Sequence, residues 1–227
     1  MTALVLQARL DSSRLPGKAM LPLGGKPIIY RIMEAFRYLQ CDEKILACSE
    51  DSARAFAPLA DEAGFKMIPG PKDDVLSRFC IVIRQIGADR IIRATGDNPF
   101  VFVDAAVALN REAVETGADY AGYSGIPVGA GVESVDSAAL LKAEKEAVDI
   151  SEREHVCPYL YKHPEYFKLH RPLAPSIWQG ENLRLTVDTK TDYERAEALY
   201  DVLCGFAPNE RNFGVNIIKS AKKVFGS

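Results

Sequence analysis

The stretch ALVLQARLDSSRLPGK, residues 3–18, decides the fold. Its first part, ALVLQ (3–7), is a short apolar run that predicts a buried strand. The polar loop that follows, residues 8–18, carries a cluster of cations opposed only by Asp11. These cations are Arg9, Arg14 and Lys18. An ordinary solvated turn does not require such a cluster, so we expect this loop to hold an anion.

Outward from this stretch, the first half of the chain alternates short apolar runs with segments of helical periodicity. Further strands are predicted at 44–49, 65–70 and 89–96. Helices are predicted at 28–39, 51–64, 73–86 and 103–116. Repeated strand–helix units build a mostly parallel sheet covered by helices on both faces. The sequence therefore predicts an α/β fold with three layers.

Beyond residue 118 the alternation is less regular. Strands are predicted at 118–125, 166–174 and 182–188, with a glycine-rich stretch at 126–137. Helices are predicted at 138–148, 152–162, 191–203 and 213–225. The sequence contains no internal repeat and no obvious linker. We therefore expect one domain over 1–227.

Composition excludes several classes of protein. The net charge of −3 argues against a general binder of nucleic acid or of anionic membranes. Five cysteines without a CxxC pair indicate free thiols, and three histidines without i, i+4 spacing argue against a structural metal site. No apolar run approaches a membrane span, and the first residues do not form a signal peptide. We expect a cytoplasmic protein without nucleic-acid or membrane partners.

Three polar loops directly follow predicted strands: 8–18, 95–99 and 187–192. If these strands are parallel, their carboxyl ends place all three loops at one edge of the sheet. The second loop supplies Asp97 and the third supplies Asp188. Two carboxylates together with substrate phosphates are a typical magnesium environment, and nearby cations hold phosphate charge. This combination predicts phosphoryl or nucleotidyl transfer.

Each of these signals has a structural alternative. The cationic loop could be a solvated crossover, and Asp97 could cap a helix that begins near residues 100–103. Asp188 is less easily explained in this way, because TKTD (189–192) already forms a capping box with Thr189 as the N-cap. Asp188 lies one residue outside that box and is free for another task.

The motif QARLDSSRLPGKAM (7–20) resembles the nucleotide-binding signature of cytidylyltransferases that make CMP-activated sugar acids. Over the whole chain the likeness is to the spore coat polysaccharide biosynthesis protein F branch. The motifs that carry it are DDVLSRF (73–79), RATGDNPFV (93–101), EREHVCPYLYKHPEYFK (152–168) and LRLTVDTKTDYE (183–194). The resemblance implies a Rossmann-like, GT-A-like fold of the nucleotide-diphospho-sugar transferase type. It implies a nucleotide-binding part at about 1–117 and an acceptor or dimerisation part at about 118–227. It also implies CTP and a sugar acid as substrates, Mg²⁺ as cofactor, and a CMP-sugar and pyrophosphate as products.

The resemblance assigns roles to residues by motif position. The implied nucleotide-binding residues are Ala8, Arg9, Ser12, Ser13, Arg14, Gly17, Lys18, Arg78, Thr95 and Asp97. The implied catalytic residues are Arg9, Lys18, Asp97 and Asp188, of which the two aspartates are the magnesium ligands. Gly17 is expected to let the backbone approach the phosphates. Arg78 has an equally weighted alternative as a solvated helix arginine.

The acceptor side is expected in the irregular second half. Glu133 matches a family position near the sugar, and His155 and Tyr159 lie on a predicted helix from which they could bind a carboxylate or hydroxyl. The alternatives are a structural role for His155 and a packing or interface role for Tyr159. The resemblance also leaves a homodimer open, with 120–175 as the region in which to seek its interface.

The chain departs from the family at Asp11, where the branch usually has glycine; this carboxylate puts phosphate affinity in question. Two other functions stay open. A GT-A glycosyltransferase would commonly carry an Asp-x-Asp pair, whereas Asp97 has Thr95 and Pro99 two residues away. A non-catalytic nucleotide-sugar-binding protein is favoured only by Asp11.

Overall fold

The computed structural model describes residues 1–180 and 182–226. Its strands are β1 (Thr2–Ala8), β2 (Pro22–Leu23), β3 (Lys26–Pro27), β4 (Glu43–Ser49), β5 (Lys66–Gly70), β6 (Arg90–Thr95), β7 (Tyr120–Ala121), β8 (Glu133–Asp136) and β9 (Leu169–His170). Its helices are α1 (Ile28–Ala35), α2 (Ala53–Ala63), α3 (Val75–Ile86), α4 (Val103–Thr116), α5 (Ser137–Glu146), α6 (Ile150–His155), α7 (Pro158–Lys162), α8 (Lys190–Leu203) and α9 (Gly214–Phe225). The predicted strands and helices of the first half are confirmed, and α4 has the predicted bounds.

Within the described part of the chain, seven strands form one mixed sheet in the order β5-β4-β1-β6-β8-β7-β9, and β2 and β3 form a small hairpin. Strand β1 lies between β4 and β6 and is parallel to both. From β1 the chain adds β4 and β5 on one side and then crosses to add β6 on the other. Such a reversal opens a crevice at the carboxyl ends of the two central strands, which is where open α/β sheets bind ligands.

Two apolar cores cover the two faces of the sheet, because successive side chains of a strand point to opposite faces. Leu4 and Leu6 of β1 are buried against helices α1, α2, α4, α8 and α9. Ala3 and Val5 are buried on the other face against α3, α5 and α7. The three-layer, Rossmann-like arrangement of helix, sheet and helix is confirmed.

The second half differs from its prediction in two strands. Strand β8 lies in the glycine-rich stretch at 126–137, where no strand was predicted, and it pairs antiparallel with β6 and β7. The predicted strand at 182–188 is wrong. This segment is extended and buries Leu185 and Val187, but it bonds to loops: Leu185 N donates to Val128 O and Val187 N donates to Asp97 O, both at 2.8 Å. Alternation predicts extended backbone, whereas the partner strand is decided by the rest of the fold.

Three other elements are shorter than predicted. The predicted strands at 118–125 and 166–174 are reduced to the two-residue strands β7 and β9, which pair in parallel. The predicted helix at 152–162 is divided into α6 and α7 by Val156, whose φ is 75°. Pro158 then begins α7, a position where its missing N–H costs no helical hydrogen bond. In the described residues, no helix is both long and apolar enough to cross a bilayer.

Candidate active site

A cleft of about 330 Å³ opens at the carboxyl ends of β1 and β6. All three polar loops singled out in the sequence contribute to it. The predicted site residues that line it are Ala8, Arg9, Ser12, Ser13, Arg14, Lys18, Arg78, Thr95, Asp97, His155 and Asp188. Three predicted residues lie elsewhere: Gly17, Glu133 and Tyr159. Most of the residues named from the sequence are therefore neighbours in space.

Lys18 joins the two aspartates at one end of the cleft. Its Nζ lies 2.8 Å from Oδ1 of Asp188 and 3.2 Å from Oδ2 of Asp97. The Lys18 and Asp188 side chains are 14% and 13% exposed, whereas Asp97 is 32% exposed. Because one ammonium contacts both carboxylates, Asp97 and Asp188 lie within reach of a single cation.

Asp188 is the most crowded of these charged groups. Its Oδ1 also lies 3.1 Å from Nη2 of Arg14, and its Oδ2 accepts a hydrogen bond of 2.6 Å from Nη2 of Arg184. Burial by itself raises the pKa of Asp188, but the hydrogen bond and charge of Lys18, together with Arg14 and Arg184, outweigh burial and hold that pKa below its ordinary value. Asp188 is therefore a carboxylate at neutral pH.

Backbone hydrogen bonds hold the two aspartate loops together. Val187 N donates to the carbonyl oxygen of Asp97 at 2.8 Å, and Thr186 Oγ1 donates to the same oxygen at 3.3 Å. The capping box of Thr189 and Asp192 is present at the start of α8. Asp188 is thus fixed one residue before the N-cap of α8, as its sequence position indicated.

Asp97 does not cap a helix. Helix α4 begins at Val103 with Phe102 as its N-cap, and no side chain accepts a hydrogen bond there. Asp104, in the first turn of α4, accepts instead from the indole of Trp178 at 2.8 Å. The capping alternative is therefore wrong, and the Asp97 side chain faces Lys18.

Gly17 lies outside the cleft and has a conformational role. Its φ is 68°, a left-handed conformation that glycine adopts without steric cost, and a Cβ at this position would meet nothing within 4 Å. The expectation that Gly17 lets the backbone approach a phosphate closely stays a prediction. The turn has hydrogen bonds from Lys18 N to Leu15 O and from Met20 N to Gly17 O. Gly17 therefore directs the chain so that Lys18 enters the cleft.

Asp11, the residue that departs from the family pattern, is paired. Its carboxylate accepts a hydrogen bond from the Lys72 ammonium. That hydrogen bond, reinforced by the charge of Lys72, lowers the pKa of Asp11. Lys72 thus offsets the negative charge that Asp11 brings to the loop.

Arg9, a second residue of this loop, is also paired. Its Nη2 lies 3.5 Å from Oε1 of Glu154, an ion pair between two partly exposed side chains.

Arg78 is a buried residue in the wall of the cleft. It is 1% exposed, so the solvated-helix alternative is wrong. Its guanidinium donates to Pro71 O at 2.6 and 2.9 Å and to Lys72 O at 2.8 Å. Burial lowers the pKa of Arg78. Although Arg78 lines the cleft, its donors support the loop that carries Lys72, and a direct contact with nucleotide stays a prediction.

Two of the residues predicted to bind the acceptor point elsewhere. Both carboxylate oxygens of Glu133 are engaged: one accepts from Arg93 and the other from the Tyr120 hydroxyl at 2.8 Å. Tyr159 donates to Glu146 at 2.9 Å and packs its ring 4.4 Å from that of His163. These contacts fit the packing alternative for Tyr159 and do not support it as an acceptor-binding residue.

His155, the third predicted acceptor residue, lies in the cleft at the end of α6. The next residue, Val156, is fully buried with φ 75° and ψ −59°, and Cys157 N donates across it to His155 O at 3.0 Å. Positive φ is strained for a β-branched residue, and such strain clusters at functional sites. This tight turn ends α6 directly after His155 and so sets where its side chain points.

Sequence reasoning missed Gln7, Arg93 and Gly96, which line the cleft, and Arg184, which contacts Asp188. Gln7 could have been found because it is a polar residue at the end of an apolar strand. Arg93 could have been found because it is a charged residue inside an apolar strand. Gly96 donates from its N to Gln7 O at 2.8 Å, and a Cβ there would lie 2.9 Å from that same oxygen. Arg184 gave no signal, because an exposed arginine in an extended segment is ordinary.

The donor set fits a divalent cation of the magnesium type. No group of three or more His, Cys, Asp or Glu side chains forms a metal site in residues 1–180 and 182–226. Asp97 and Asp188 instead provide hard oxygen ligands that meet at one cation, Lys18 Nζ. Magnesium is commonly held by one or two carboxylates plus substrate phosphates rather than by an all-protein cage. Asp97 and Asp188 match that pattern.

Comparisons with known proteins agree with this geometry. A family model described as cytidylyltransferase matches residues 3–216. The spore coat polysaccharide biosynthesis protein SpsF of Bacillus subtilis (strain 168) is 32% identical over 203 residues, which cover 86% of this chain and 85% of that protein.

Solved structures share the fold. A cytidylyltransferase from Leptospira borgpetersenii superposes with a TM-score of 0.89 at 24% identity, covering 99% of this chain and 95% of its own. A CMP:2-keto-3-deoxy-manno-octonic acid synthetase complexed with CTP superposes with a TM-score of 0.68 at 19% identity, covering 88% and 98%. The sequence match over most of the chain and the shared fold lead to one conclusion: this protein belongs to the cytidylyltransferase family and is a nucleotidyltransferase.

Proposed function

We propose that this enzyme couples CTP to a sugar acid and releases a CMP-sugar and pyrophosphate. The observation that carries the proposal is the convergence of Lys18, Asp97 and Asp188 at one end of the cleft. Cations and carboxylates from three distant loops meet there, and a triphosphate with a divalent cation needs both kinds of group. The match to the cytidylyltransferase family supports CTP as the nucleotide.

Asp97 and Asp188 would hold Mg²⁺, which when bound neutralises triphosphate charge and polarises the α-phosphate. An ammonium has three N–H donors, and Lys18 gives two of them to these carboxylates. The third is available to a phosphate oxygen. Arg14, whose side chain is 65% exposed, adds a second cation at the same end of the cleft. Lys18 and Arg14 thus bind phosphate and stabilise the charge that develops on departing pyrophosphate.

The acceptor lies beside His155 and Glu154, which also line the cleft. An acceptor hydroxyl attacks the α-phosphorus directly, the bond to pyrophosphate breaks as the new P–O bond forms, and the hydroxyl proton passes to solvent water. Lys18 and Arg14 hold the leaving group in line while His155 and Glu154 orient the acceptor. Such positioning of two substrates, without a covalent enzyme intermediate, supplies much of the rate acceleration in phosphoryl transfer.

Two features weigh against the other functions. Asp97 is preceded by Thr95 and Gly96 and followed by Asn98 and Pro99, so it lacks the aspartate pair common in glycosyltransferases. Asp11, the one feature that favours a non-catalytic binder, is neutralised by Lys72.

The test is to incubate the enzyme with CTP, Mg²⁺ and a panel of sugar acids that includes 3-deoxy-manno-octulosonate, and to measure pyrophosphate. Release that requires both CTP and one acid supports the proposal. In parallel, a thermal-shift comparison of CTP, UTP, GTP and ATP identifies the nucleotide, because a ligand that binds only the folded state raises the melting temperature. Stabilisation by another nucleotide with no effect of CTP would refute the choice of CTP.

A further inference from the structure

Gln7 occupies an unusual place in the central strand. In β1, Ala3 and Val5 are fully buried, and Gln7 continues their face. It is half-buried and lines the cleft at the carboxyl end of the strand. An apolar residue would suit this face as well as Ala3 and Val5 do. A polar side chain here opens onto the substrate site.

The orientation of the Gln7 amide follows from chemistry. Arg93 Nε donates to Gln7 Oε1 at 3.0 Å. A guanidinium has no acceptor, so the amide oxygen, and not its nitrogen, must face Arg93. The Gln7 NH₂ group is therefore turned away from Arg93, and no described residue accepts a hydrogen bond from it. Gln7 thus presents donors to the cleft.

Arg93 is itself held in place. Its Nη1 forms an ion pair with Glu133, and the two side chains are 13% and 21% exposed. The second oxygen of Glu133 accepts from Tyr120, and the Arg93 guanidinium lies 6.0 Å from the Phe79 ring centroid. Burial alone lowers the pKa of Arg93, but the Glu133 carboxylate outweighs burial, so the pKa lies above its ordinary value. Glu133 therefore holds the Arg93 guanidinium in place, and Arg93 in turn holds the amide oxygen of Gln7.

We propose that the Gln7 amide is a specificity-determining donor that binds a carbonyl or hydroxyl oxygen of a substrate, with Arg93 and Glu133 as positioning residues. This inference rests on the proposed function, since it names a contact within the same cleft. The oxygen belongs to the part of the substrates that is not phosphate, because Lys18 and Arg14 receive the phosphates in the proposed function. It comes from the nucleoside or from the acceptor sugar acid.

A preoriented donor gives strong selectivity. A site built to donate a hydrogen bond rejects an analogue without the acceptor, because the donor is left unpaired once the bound substrate has excluded water from it. Gln7 is uncharged, so it discriminates by hydrogen bonding without adding attraction for every anion. A Gln7→Glu change would replace the donor by an acceptor and bring a second carboxylate to Arg93.

The experiment measures KM for CTP and for the accepted acid separately in Q7L and Q7E, with Q85L as the control. Gln85 lies exposed on α3, outside the residues that line the cleft. We expect Q7L to raise one of the two KM values about tenfold, with kcat changed less than about threefold, because one uncharged hydrogen bond is lost. Q7E should raise it further, and Q85L should match the wild type. The substrate whose KM rises is the source of the oxygen; if neither KM changes, the proposal is wrong.

The positioning role is tested by R93M, by R93K and by Q7L combined with R93M. R93M should raise the same KM as Q7L, and the double variant should be no worse than Q7L alone, because both act on one contact. R93K keeps a cation beside Glu133 and a donor for Gln7, and it should restore most of the affinity. If the two changes lower substrate affinity additively in the double variant, or if R93M lowers kcat alone, Arg93 does not position Gln7.

NMR separates failure of this inference from failure of the proposed function. The side-chain NH₂ resonances of Gln7 are assigned by their absence in Q7E. If Mg²⁺ and CTP shift backbone resonances of the loop at 8–18, but neither CTP nor the acid shifts the Gln7 NH₂ resonances, the nucleotide binds as proposed and the Gln7 contact is wrong. If no nucleotide shifts the loop, the proposed function fails and the Gln7 contact fails with it.

Discussion

Lys18 Nζ lies 2.8 Å from Asp188 Oδ1, although the two residues are 170 positions apart in the chain. Arg14 and Arg184 contact the same carboxylate from either side. One end of the cleft therefore depends on a charge cluster that joins the first loop of the chain to the start of α8. Changes in this cluster are expected to alter activity and stability in separable ways.

Asp188→Asn should lower turnover by about 100-fold or more, because an amide is a poor magnesium ligand and no longer holds Lys18 by charge. Pyrophosphate release with CTP and the accepted acid measures this effect, and circular dichroism checks that the fold is retained. Asp201→Asn is the matched control, since Asp201 is exposed on the same helix that Asp188 precedes. Wild-type turnover in D188N would remove Asp188 from the metal site.

Stability should depend on the ionisation of Asp188. Its pKa is held below the ordinary value, so the unfolded chain binds a proton at higher pH than the folded chain does. The resulting stabilisation is complete above the unfolded-state pKa of about 3.9 and is lost as pH falls through the lower folded-state value. Urea unfolding between pH 6 and 3 should therefore show a smaller loss of stability in D188N than in the wild type. Equal losses in the two proteins would contradict this account.

Gly17→Ala should cost about 1 kcal/mol of stability, because alanine is strained at φ 68°. It should also raise KM for CTP, because the turn at Gly17 directs Lys18. Gly25→Ala is the matched control: Gly25 also has positive φ and open space around it, but lies between β2 and β3. Both variants should lose similar stability in urea, and only G17A should lose affinity for CTP. A G17A enzyme with unchanged KM would show that Lys18 does not depend on this turn.

Asp11 should weaken CTP binding less than its charge suggests, because Lys72 neutralises it. Asp11→Gly, which restores the residue usual in the branch, should leave KM for CTP within about twofold of the wild type. Lys72→Met should raise KM about two- to fivefold, since it leaves an unpaired carboxylate beside the phosphate-binding loop. Steady-state kinetics at low and high salt measure both, and the K72M effect should shrink as salt rises. If D11G alone lowers KM strongly, the pairing does not offset Asp11.

Local patterns predicted the first half of the fold well. Apolar runs gave β1, β4, β5 and β6, and periodicity gave α3 and α4 with their bounds to within two residues. Each of these elements is long enough for its own residues to show whether it is buried on one side or both. Strand β8 is only four residues long and was missed, because its strand character comes from pairing with β6 and β7. The strand predicted at 182–188 is wrong for a related reason: its residues alternate as in a strand, but its backbone bonds to loops and not to another strand.

The site was predicted where motif and topology agree. Asp97 and Asp188 were identified because each follows an apolar segment at the same edge of the sheet. Glu133 was assigned to the acceptor by motif position and Tyr159 by its place on a predicted helix. Glu133 instead accepts hydrogen bonds from Arg93 and Tyr120, and Tyr159 donates to Glu146. The side-chain partners of these residues lie on other helices and strands, and the local sequence does not predict them.

By itself, the sequence determined the alternation of strands and helices, the capping box that fixes Asp188, and the glycine that turns the chain before Lys18. Tertiary structure alone decided that Lys72 neutralises Asp11, that Arg78 supports a loop, and that Arg93 orients Gln7 toward the cleft. The physical reason is range. Periodicity and capping act over a few residues, whereas a charge finds its partner only after the sheet has brought distant loops together.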